Sequence, residues 1–137
     1  MKRILHIDYD YDFLLIGICT HAKNYRLCWE INKILGIKLE RGDDMTIKTS
    51  NGESSAYSLY FCEDEENNNY FHVISNKSQN KTLITEHKQV DYFLRIQGNR
   101  NTGYTEEIIK KIRKIPIVLT AYNIDPNKLK SKQKLLF

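Results

Sequence analysis

The chain has 137 residues, 41% hydrophobic and 28% charged, and its formal net charge is +4. This length and composition indicate a single globular domain over residues 1–137, large enough to bury one core. Six glycines and two prolines argue against long disordered linkers.

Three features of the sequence bear on the cellular compartment in which the protein is found. Asp8 interrupts the N-terminal segment before an apolar signal-peptide core could form. The longest apolar run, residues 13–19, is too short to cross a bilayer. Cys19, Cys28 and Cys62 are odd in number and show no C-x-x-C spacing, which favours reduced thiols. We therefore expect a cytoplasmic protein that does not associate with membranes.

The first third of the chain predicts a strand, a helix and a second strand. Residues 13–19 form the continuous apolar run of a buried strand. Apolar residues then recur at helical spacing up to Gly36, a natural helix stop. Residues 37–40 alternate as a half-buried strand does. The predicted buried stripe of the helix comprises Tyr25, Cys28 or Trp29, Ile31, Ile34 and Leu35.

The middle of the chain predicts three further strands. Their ranges are 45–48, 56–62 and 70–74, and Asn51-Gly52 suits a turn after the first of them. Residues 63–69 are polar throughout and predict a solvent-exposed connection.

The last third repeats the strand–helix–strand pattern. Residues 90–97 alternate as a strand, with Val90, Tyr92, Leu94 and Ile96 on one face. The following helix is predicted to start at an N-cap, Thr105, to end at Pro116 and to precede a strand over 117–122. Its predicted buried stripe comprises Ile108, Ile109, Ile112 and Ile115.

The segment 125–137 is predicted to be a short terminal helix with a basic tail. Asp125 suits the N-cap and Pro126 the first helical position. From Tyr104 onward eight Lys and Arg residues stand against three acids, so this quarter carries a charge of +5. Such a basic patch either binds an anionic partner or, more commonly, is a solvated face.

Together these elements predict an α+β fold. Two strand–helix–strand units flank a β-rich insert, which favours a mainly antiparallel sheet with the two main helices on one face. A ferredoxin-like or ACT-like core with extra β-hairpins is the preferred version. Such a fold says little about function.

The segment Ile84-Thr85-Glu86-His87-Lys88-Gln89-Val90-Asp91-Tyr92 resembles the signature of the IPExxxVDY family of small bacterial proteins. The similarity continues in Tyr25-Arg26-Leu27, in Ile74-Ser75-Asn76-Lys77 and in residues 120–131, and so covers nearly the whole chain. Thr85 departs from the signature, which has proline there. The resemblance implies a cytoplasmic bacterial protein and carries over no catalytic residue, because the family has no assigned activity.

The signature residues are predicted to have structural roles. His87 lies in a solvent-side connector, where a general base would lack a fixed partner and a tuned pKa. Glu86 and Asp91 flank the start of a strand, and their carboxylates are expected to accept backbone N–H groups across a tight connection, as turn acids commonly do. Asp91 could also be bridged by Arg95. The residues given structural roles are Glu86, Val90, Asp91, Tyr92, Asp125 and Pro126.

Metal and cofactor motifs are not recognisable in the sequence. An EF-hand loop that starts at Asp8 would need Gly and Glu where Phe13 and Cys19 stand. The four histidines lack the spacing of a zinc site, and Cys28 is expected to be inert packing. We predict no metal, no cofactor and no catalytic residue.

The leading hypothesis is a non-enzymatic binding or adaptor domain with a macromolecular partner, namely a protein. Its positive support is the C-terminal segment, where Leu135-Leu136-Phe137 either fold back onto their own domain or form an exposed anchor. The candidate partner-binding residues are Lys128, Lys130, Lys132, Lys134, Leu135, Leu136 and Phe137. The alternatives are an RNA-binding module that uses the basic C-terminal quarter, an ACT-like small-ligand sensor, and an enzyme of unrecognised type. The sequence leaves the oligomeric state open.

Overall fold

The computed structural model describes residues 13–48, 51–79, 81–98, 102–130 and 132–135. Two helices lie in these ranges, α1 (Asn24–Leu35) and α2 (Thr102–Arg113). The strands are β1 (Leu14–Thr20), β2 (Glu40–Arg41), β3 (Met45–Lys48), β4 (Ser54–Tyr57), β5 (Leu59–Asp64), β6 (Asn69–Ser75), β7 (Lys77–Ser78), β8 (Lys81–Thr82), β9 (Tyr92–Gln97) and β10 (Val118–Ile124). Short 3-10 turns cover Thr85–His87, Pro126–Lys128 and Lys132–Leu135.

Six strands form one sheet in the order β10-β1-β9-β6-β5-β2, and every neighbouring pair is antiparallel. The hairpins β3–β4 and β7–β8 are separate. The prediction of an α+β fold with two helices and a mainly antiparallel sheet is confirmed. Within the described residues, neither helix is long and apolar enough to cross a membrane.

Two clusters of buried side chains make up the core. The first contains residues from both helices together with Ile16, Ile18 and Leu94 of the sheet. The second contains Leu15 and Phe93, which alternate with those strand residues, and also residues from the 83–90 segment and the C-terminal segment. Because side chains alternate along a strand, the sheet is buried on both sides over its central strands.

The structure confirms part of the buried stripe that was predicted for α1 and corrects the rest. Cys28 and Ile31 are buried, and Gly36 ends the helix in the left-handed conformation with φ of 67°. Tyr25 and Trp29 are exposed, by 63% and 53%. At 100° per residue, Leu27, Cys28 and Ile31 form one stripe, and both aromatic residues project from the other side of the helix.

For α2 the predicted buried stripe is confirmed, but the predicted start is wrong. Ile108, Ile109, Ile112 and Ile115 are all buried. The helix begins at Thr102 instead of after Thr105, which is buried inside the first turns. It ends at Arg113, before Pro116, and Lys114 and Ile115 donate backbone hydrogen bonds to carbonyls three residues earlier.

Two predicted strands and one predicted connection have different boundaries in the structure. The range 56–62 divides at Ser58 between β4 and β5, which lie in different sheets. The strand predicted over 37–40 is only Glu40–Arg41 in the structure, because the Leu39 N–H donates to Asn32 Oδ1 at 2.7 Å instead of to a neighbouring strand. The connection over 63–69 shortens to four turn residues, since β5 runs to Asp64 and β6 begins at Asn69, a buried residue.

Candidate interaction surface

Asp91 ties the end of β1 to the start of β9. Its Oδ2 accepts the Thr20 N–H at 2.9 Å, and its Oδ1 accepts Lys77 Nζ at 3.1 Å. Its own N–H donates to Ile18 O at 2.9 Å. The carboxylate accepts a backbone N–H as expected, but the donor lies 71 residues away in sequence instead of across the tight connection at the start of the strand. The suggested bridge to Arg95 was wrong, because four strand residues span about 13 Å and Arg95 is buried elsewhere.

Tyr92 anchors the connection that leads into α1. The side chain is buried, as predicted, and its hydroxyl donates to Ala22 O at 2.9 Å. Burial raises the pKa of Tyr92 to about 12. Together with Asp91, it holds the residues between β1 and α1 against the sheet.

Val90 packs on the opposite side of the sheet from Tyr92, which corrects the predicted strand face. Val90 belongs to the second core cluster, and Tyr92 to the first. The strand begins only at Tyr92, and the Val90 N–H closes a turn to His87 O at 3.1 Å. A Cβ on Gly17 would lie 2.9 Å from Val90 Cγ2, so glycine there makes room for Val90.

Glu86 and Asp125 hold the C-terminal segment. Glu86 accepts the backbone N–H of Lys130. Asp125 caps the turn Pro126–Lys128, as predicted, through a bond from the Asn127 N–H at 3.0 Å. Pro126 and Leu129 are buried. Glu86, Asp91 and Asp125 thus have structural contacts in this chain.

The C-terminal segment is docked on its own domain as far as Leu135. Leu135 is fully buried, and its carbonyl accepts a bond from the Arg95 guanidinium. Lys134 Nζ donates to Leu83 O at 3.0 Å, so this lysine contacts its own domain. Lys128 and Lys130 are exposed. Leu136, Phe137 and the side chain of Lys132 lie outside the described residues.

Asn76 is a structural residue that the sequence reasoning missed. It is fully buried at the end of β6. Its Oδ1 accepts the Ile84 N–H at 2.7 Å, and its Nδ2 donates to His87 O and Val90 O at 2.9 and 2.8 Å. One amide therefore organises the signature segment. The only signal in the sequence was its place in the stretch 74–77 that resembles the family.

Arg95 is a second residue that was missed, since it was expected only as a partner for Asp91. It is buried in β9, with its Nη2 3.2 Å from His72 Nδ1 and its guanidinium 5.6 Å from the Phe13 ring centroid. Burial lowers the pKa of Arg95 to about 10. Burial and the nearby Arg95 charge lower the pKa of His72 to about 4.

The ionisable groups in the described ranges do not form a recognisable catalytic arrangement. Burial raises the pKa of Cys28 to about 12, which makes it an unreactive thiol, as expected. The pKa values of His72 and Tyr92 also move away from neutrality, the opposite of what general acid–base catalysis requires. His87 is half-buried beside the Tyr122 ring, at 6.2 Å between centroids, instead of fully at the surface.

Metal ligands do not cluster in the part of the chain that the structure describes: it contains no group of three or more His, Cys, Asp or Glu placed to hold an ion. Asp8, the residue considered for a calcium loop, lies outside that part of the chain.

A polar cleft of about 330 Å³ lies at the start of α1. Lys77, one of its lining residues, is already paired with Asp91. The cleft offers polar groups but little of the apolar lining that small-molecule sites usually have. Its lining residues are Lys23, Asn24, Asp44, Ala56, Ser58, Ser75, Lys77 and Tyr92.

The outer side of α1 is both aromatic and cationic. Trp29, the single tryptophan of the chain, has the Lys33 ammonium 4.3 Å and the Arg26 guanidinium 5.7 Å from its ring centroid. Tyr25 lies one turn before it. We call these four residues, Tyr25, Arg26, Trp29 and Lys33, the α1 aromatic face. The spacing of the stripe Leu27, Cys28 and Ile31 could have revealed it, since it places this face away from the core.

Two further exposed aromatic residues lie on the sheet. Phe61 is paired in register with Glu40, and Tyr70 with Glu63. Tyr70 also borders an acidic depression formed with Asp64 and Glu65. These rings lie among carboxylates, which would repel the phosphates of a nucleic acid.

A scan against protein-family models finds no match to this chain, and a search of curated proteins finds no similar protein.

Proposed function

We propose that this chain is a non-enzymatic binding domain that recognises another protein through the α1 aromatic face. The observation that carries the proposal is the exposure of two large aromatic side chains, Tyr25 and Trp29, beside two cations. Trp, Tyr and Arg are the residues most enriched at the energetic centres of protein interfaces. Tyr25 and Trp29 are each more than half exposed, and contact with a partner would remove apolar area from water.

The face is held on a rigid support, which favours recognition with little loss of conformational entropy. Cys28 and Ile31 fasten the inner side of α1 to the first core cluster. Tyr92 holds the residues before the helix, and Asn32 binds Leu39 after it. The signature residues Asp91 and Tyr92 thereby contribute to binding indirectly, by positioning the helix.

The finer fold is part of the same proposal: a ferredoxin-like or ACT-like core with both helices on one face of the sheet. Its support is the strand order β10-β1-β9-β6, in which β1 and β9 each lead into a helix. Residues of both helices share the first core cluster. Membership of the IPExxxVDY family also stays a proposal, supported by the signature residues themselves.

RNA binding is a second candidate, supported by the exposed basic residues Lys110, Lys111 and Lys114 of α2. The acidic surroundings of Phe61 and Tyr70 count against base stacking on the sheet. A small-ligand sensor would have to use the polar cleft, whose lining is poor in apolar groups. Both alternatives are therefore weaker than a protein partner.

The test compares Trp29→Ala with a matched control, Leu119→Ala, in binding to a partner purified after capture by the wild-type chain. Leu119 is 63% exposed on β10, so the control removes a similarly exposed apolar side chain elsewhere. We expect Trp29→Ala to weaken binding by about 2 kcal/mol or more, the scale of an interface hot spot, and Leu119→Ala to leave it unchanged.

A direct readout accompanies the affinities. With 5-fluorotryptophan, the chain gives a single fluorine resonance, from position 29, which should shift when the partner is added. Equal binding by Trp29→Ala and the wild type, with an unmoved resonance, would refute the α1 aromatic face as the site.

A further inference from the structure

The exposed charges beside Trp29 are positive. Arg26 and Lys33 both approach its ring, and Lys23 is exposed just before the helix. The acid of this helix, Glu30, is only 13% exposed and is paired with Arg26 at 3.0 Å. A partner that approaches the α1 aromatic face therefore meets positive charge.

The neighbouring helix α2 also carries a net positive charge. Residues 23–35 and 102–114 together hold seven cations and three acids, a net charge of +4, which equals that of the whole chain. The rest of the chain is neutral overall. The two helices contact each other and share one core cluster, so these cations lie in one region of the molecule, in addition to the lysines of the C-terminal segment. Such an asymmetry steers an oppositely charged partner.

We propose that the partner segment recognised by the α1 aromatic face is an acidic protein segment, with Asp or Glu side chains around an apolar centre. The inference rests on the proposed function and adds the chemical class of the partner. The apolar centre packs on Tyr25 and Trp29, while the carboxylates pair with Arg26 and Lys33. Each of these cations lies on a long side chain that can turn from the indole ring to a carboxylate.

A protein segment fits this face better than a nucleic acid does. Tyr25 and Trp29 stand four residues apart on one helix, about 6 Å between Cβ atoms, a spacing that suits adjacent side chains of a docked peptide.

The probes are three defined molecules: an amphipathic peptide of Leu and Glu, its counterpart with Lys for Glu, and an oligouridylate. None contains tryptophan, so fluorescence of Trp29 in the full chain reports binding. We expect the Glu peptide to change the emission and to bind about tenfold less tightly when salt rises from about 0.05 to about 0.5 M, because screening weakens charge pairing. The Lys peptide and the oligouridylate should bind at least about tenfold less tightly than the Glu peptide.

The matched variants are Lys33→Glu and Lys48→Glu. Lys48 is an exposed lysine of β3, in the separate β3–β4 hairpin. Reversal at position 33 should weaken binding of the Glu peptide about tenfold, and reversal at position 48 should not. Lys33→Gln, which only neutralises the charge, should bind the Glu peptide with an affinity between those of the two charge-reversal variants. Thermal unfolding of each variant separates a loss of binding from a loss of folding.

Three results would overturn the proposal: no emission change with the Glu peptide, tighter binding of the oligouridylate, or equal binding of the two peptides. The protein-binding function is judged separately. If Trp29→Ala abolishes binding of the purified partner and Lys33→Glu does not, the face is an interface and only the acidic class is wrong. If Trp29→Ala binds that partner as the wild type does, both proposals fail.

Discussion

At the scale of single residues, polar side chains that are buried or half-buried organise the segments that surround the sheet. Asn76 bonds three backbone groups of the 83–91 stretch, and Asp91 continues the β1–β9 pairing by one side-chain bond. Arg95 holds the Leu135 carbonyl. Each joins segments that are distant in sequence, so removing one of them leaves buried partners unsatisfied.

Asn76→Ala should destabilise the protein by about 3 kcal/mol or more, because it leaves one N–H and two carbonyls without the side chain that bonds them. Urea unfolding measures the loss. The control, Asn127→Ala, changes an exposed asparagine and should cost less than about 0.5 kcal/mol. A loss below about 1 kcal/mol for Asn76→Ala would contradict its role as an organising residue.

His72 should make the protein less stable as pH falls from about 6.5 to about 4. Its pKa is lowered to about 4 in the folded chain, by burial and by Arg95, from 6.5 in the unfolded chain. The unfolded state therefore binds more protons over this interval, and acid favours unfolding. Proton NMR of the imidazole should show it neutral at pH 5.

The control for this titration is His72→Gln, which retains a hydrogen-bond acceptor but cannot titrate. It should flatten the slope of stability against pH between about 6.5 and about 4. An imidazole that titrates near pH 6.5 in the folded protein would contradict the prediction.

At the scale of elements, local turns and strand edges determine how the sheet is bounded. The outer strand β10 has the carbonyl of Ala121 capped by Arg113 Nε at 2.7 Å, and β2 at the other edge has two residues. Short or capped edges resist pairing with a second chain. The turn Thr85–His87 begins after Ile84, whose φ of −109° and ψ of 99° are extended.

Thr85→Pro should be tolerated and should stabilise the protein by about 0.4–1 kcal/mol through a less flexible unfolded chain. The extended Ile84 suits the residue before proline, and Thr85 is the first residue of its turn. The first bond of that turn runs from the His87 N–H to Ile84 O. Urea unfolding measures the change, with Thr85→Ala as the control. A loss above about 1 kcal/mol would mean that the Thr85 N–H has an essential partner.

At the scale of the whole molecule, the C-terminal segment closes the second core cluster. Leu129 and Leu135 are buried in that cluster, and Glu86 and Arg95 bond the backbone between and beside them. The segment that gave the binding hypothesis its first support is thus part of the fold up to Leu135. The interaction surface that we propose lies on α1 instead.

Deletion of residues 132–137 should destabilise the protein by about 2 kcal/mol or more, because it exposes the pocket filled by Leu135 and leaves Arg95 without that carbonyl. Urea unfolding of the truncated and full chains measures the difference. Lys130→Ala, an exposed side chain in the same segment, is the control and should change stability little. Unchanged stability after truncation would show that Leu135 does not contribute to the core.

The sequence by itself determined the local elements and the fold class. Four local features follow from periodicity and backbone preference, which act within a few residues. They are the isoleucine stripe of α2, the buried strand over 13–19, the stop at Gly36 and the cap at Asp125. The sequence also predicted that Glu86 and Asp91 accept backbone N–H groups, but the donors, Lys130 and Thr20, are 44 and 71 residues away, so the tertiary structure selected them.

Only the tertiary structure decided which polar groups are buried and which apolar groups are exposed. Asn76 and Arg95 look like surface residues in the sequence, and their bonding partners come from segments 8 to 40 residues away. Trp29 and Cys28 could each have faced the core, until packing against the sheet selected one side of α1. The α1 aromatic face could not be placed earlier, because burial depends on contacts between distant segments and local periodicity does not encode them.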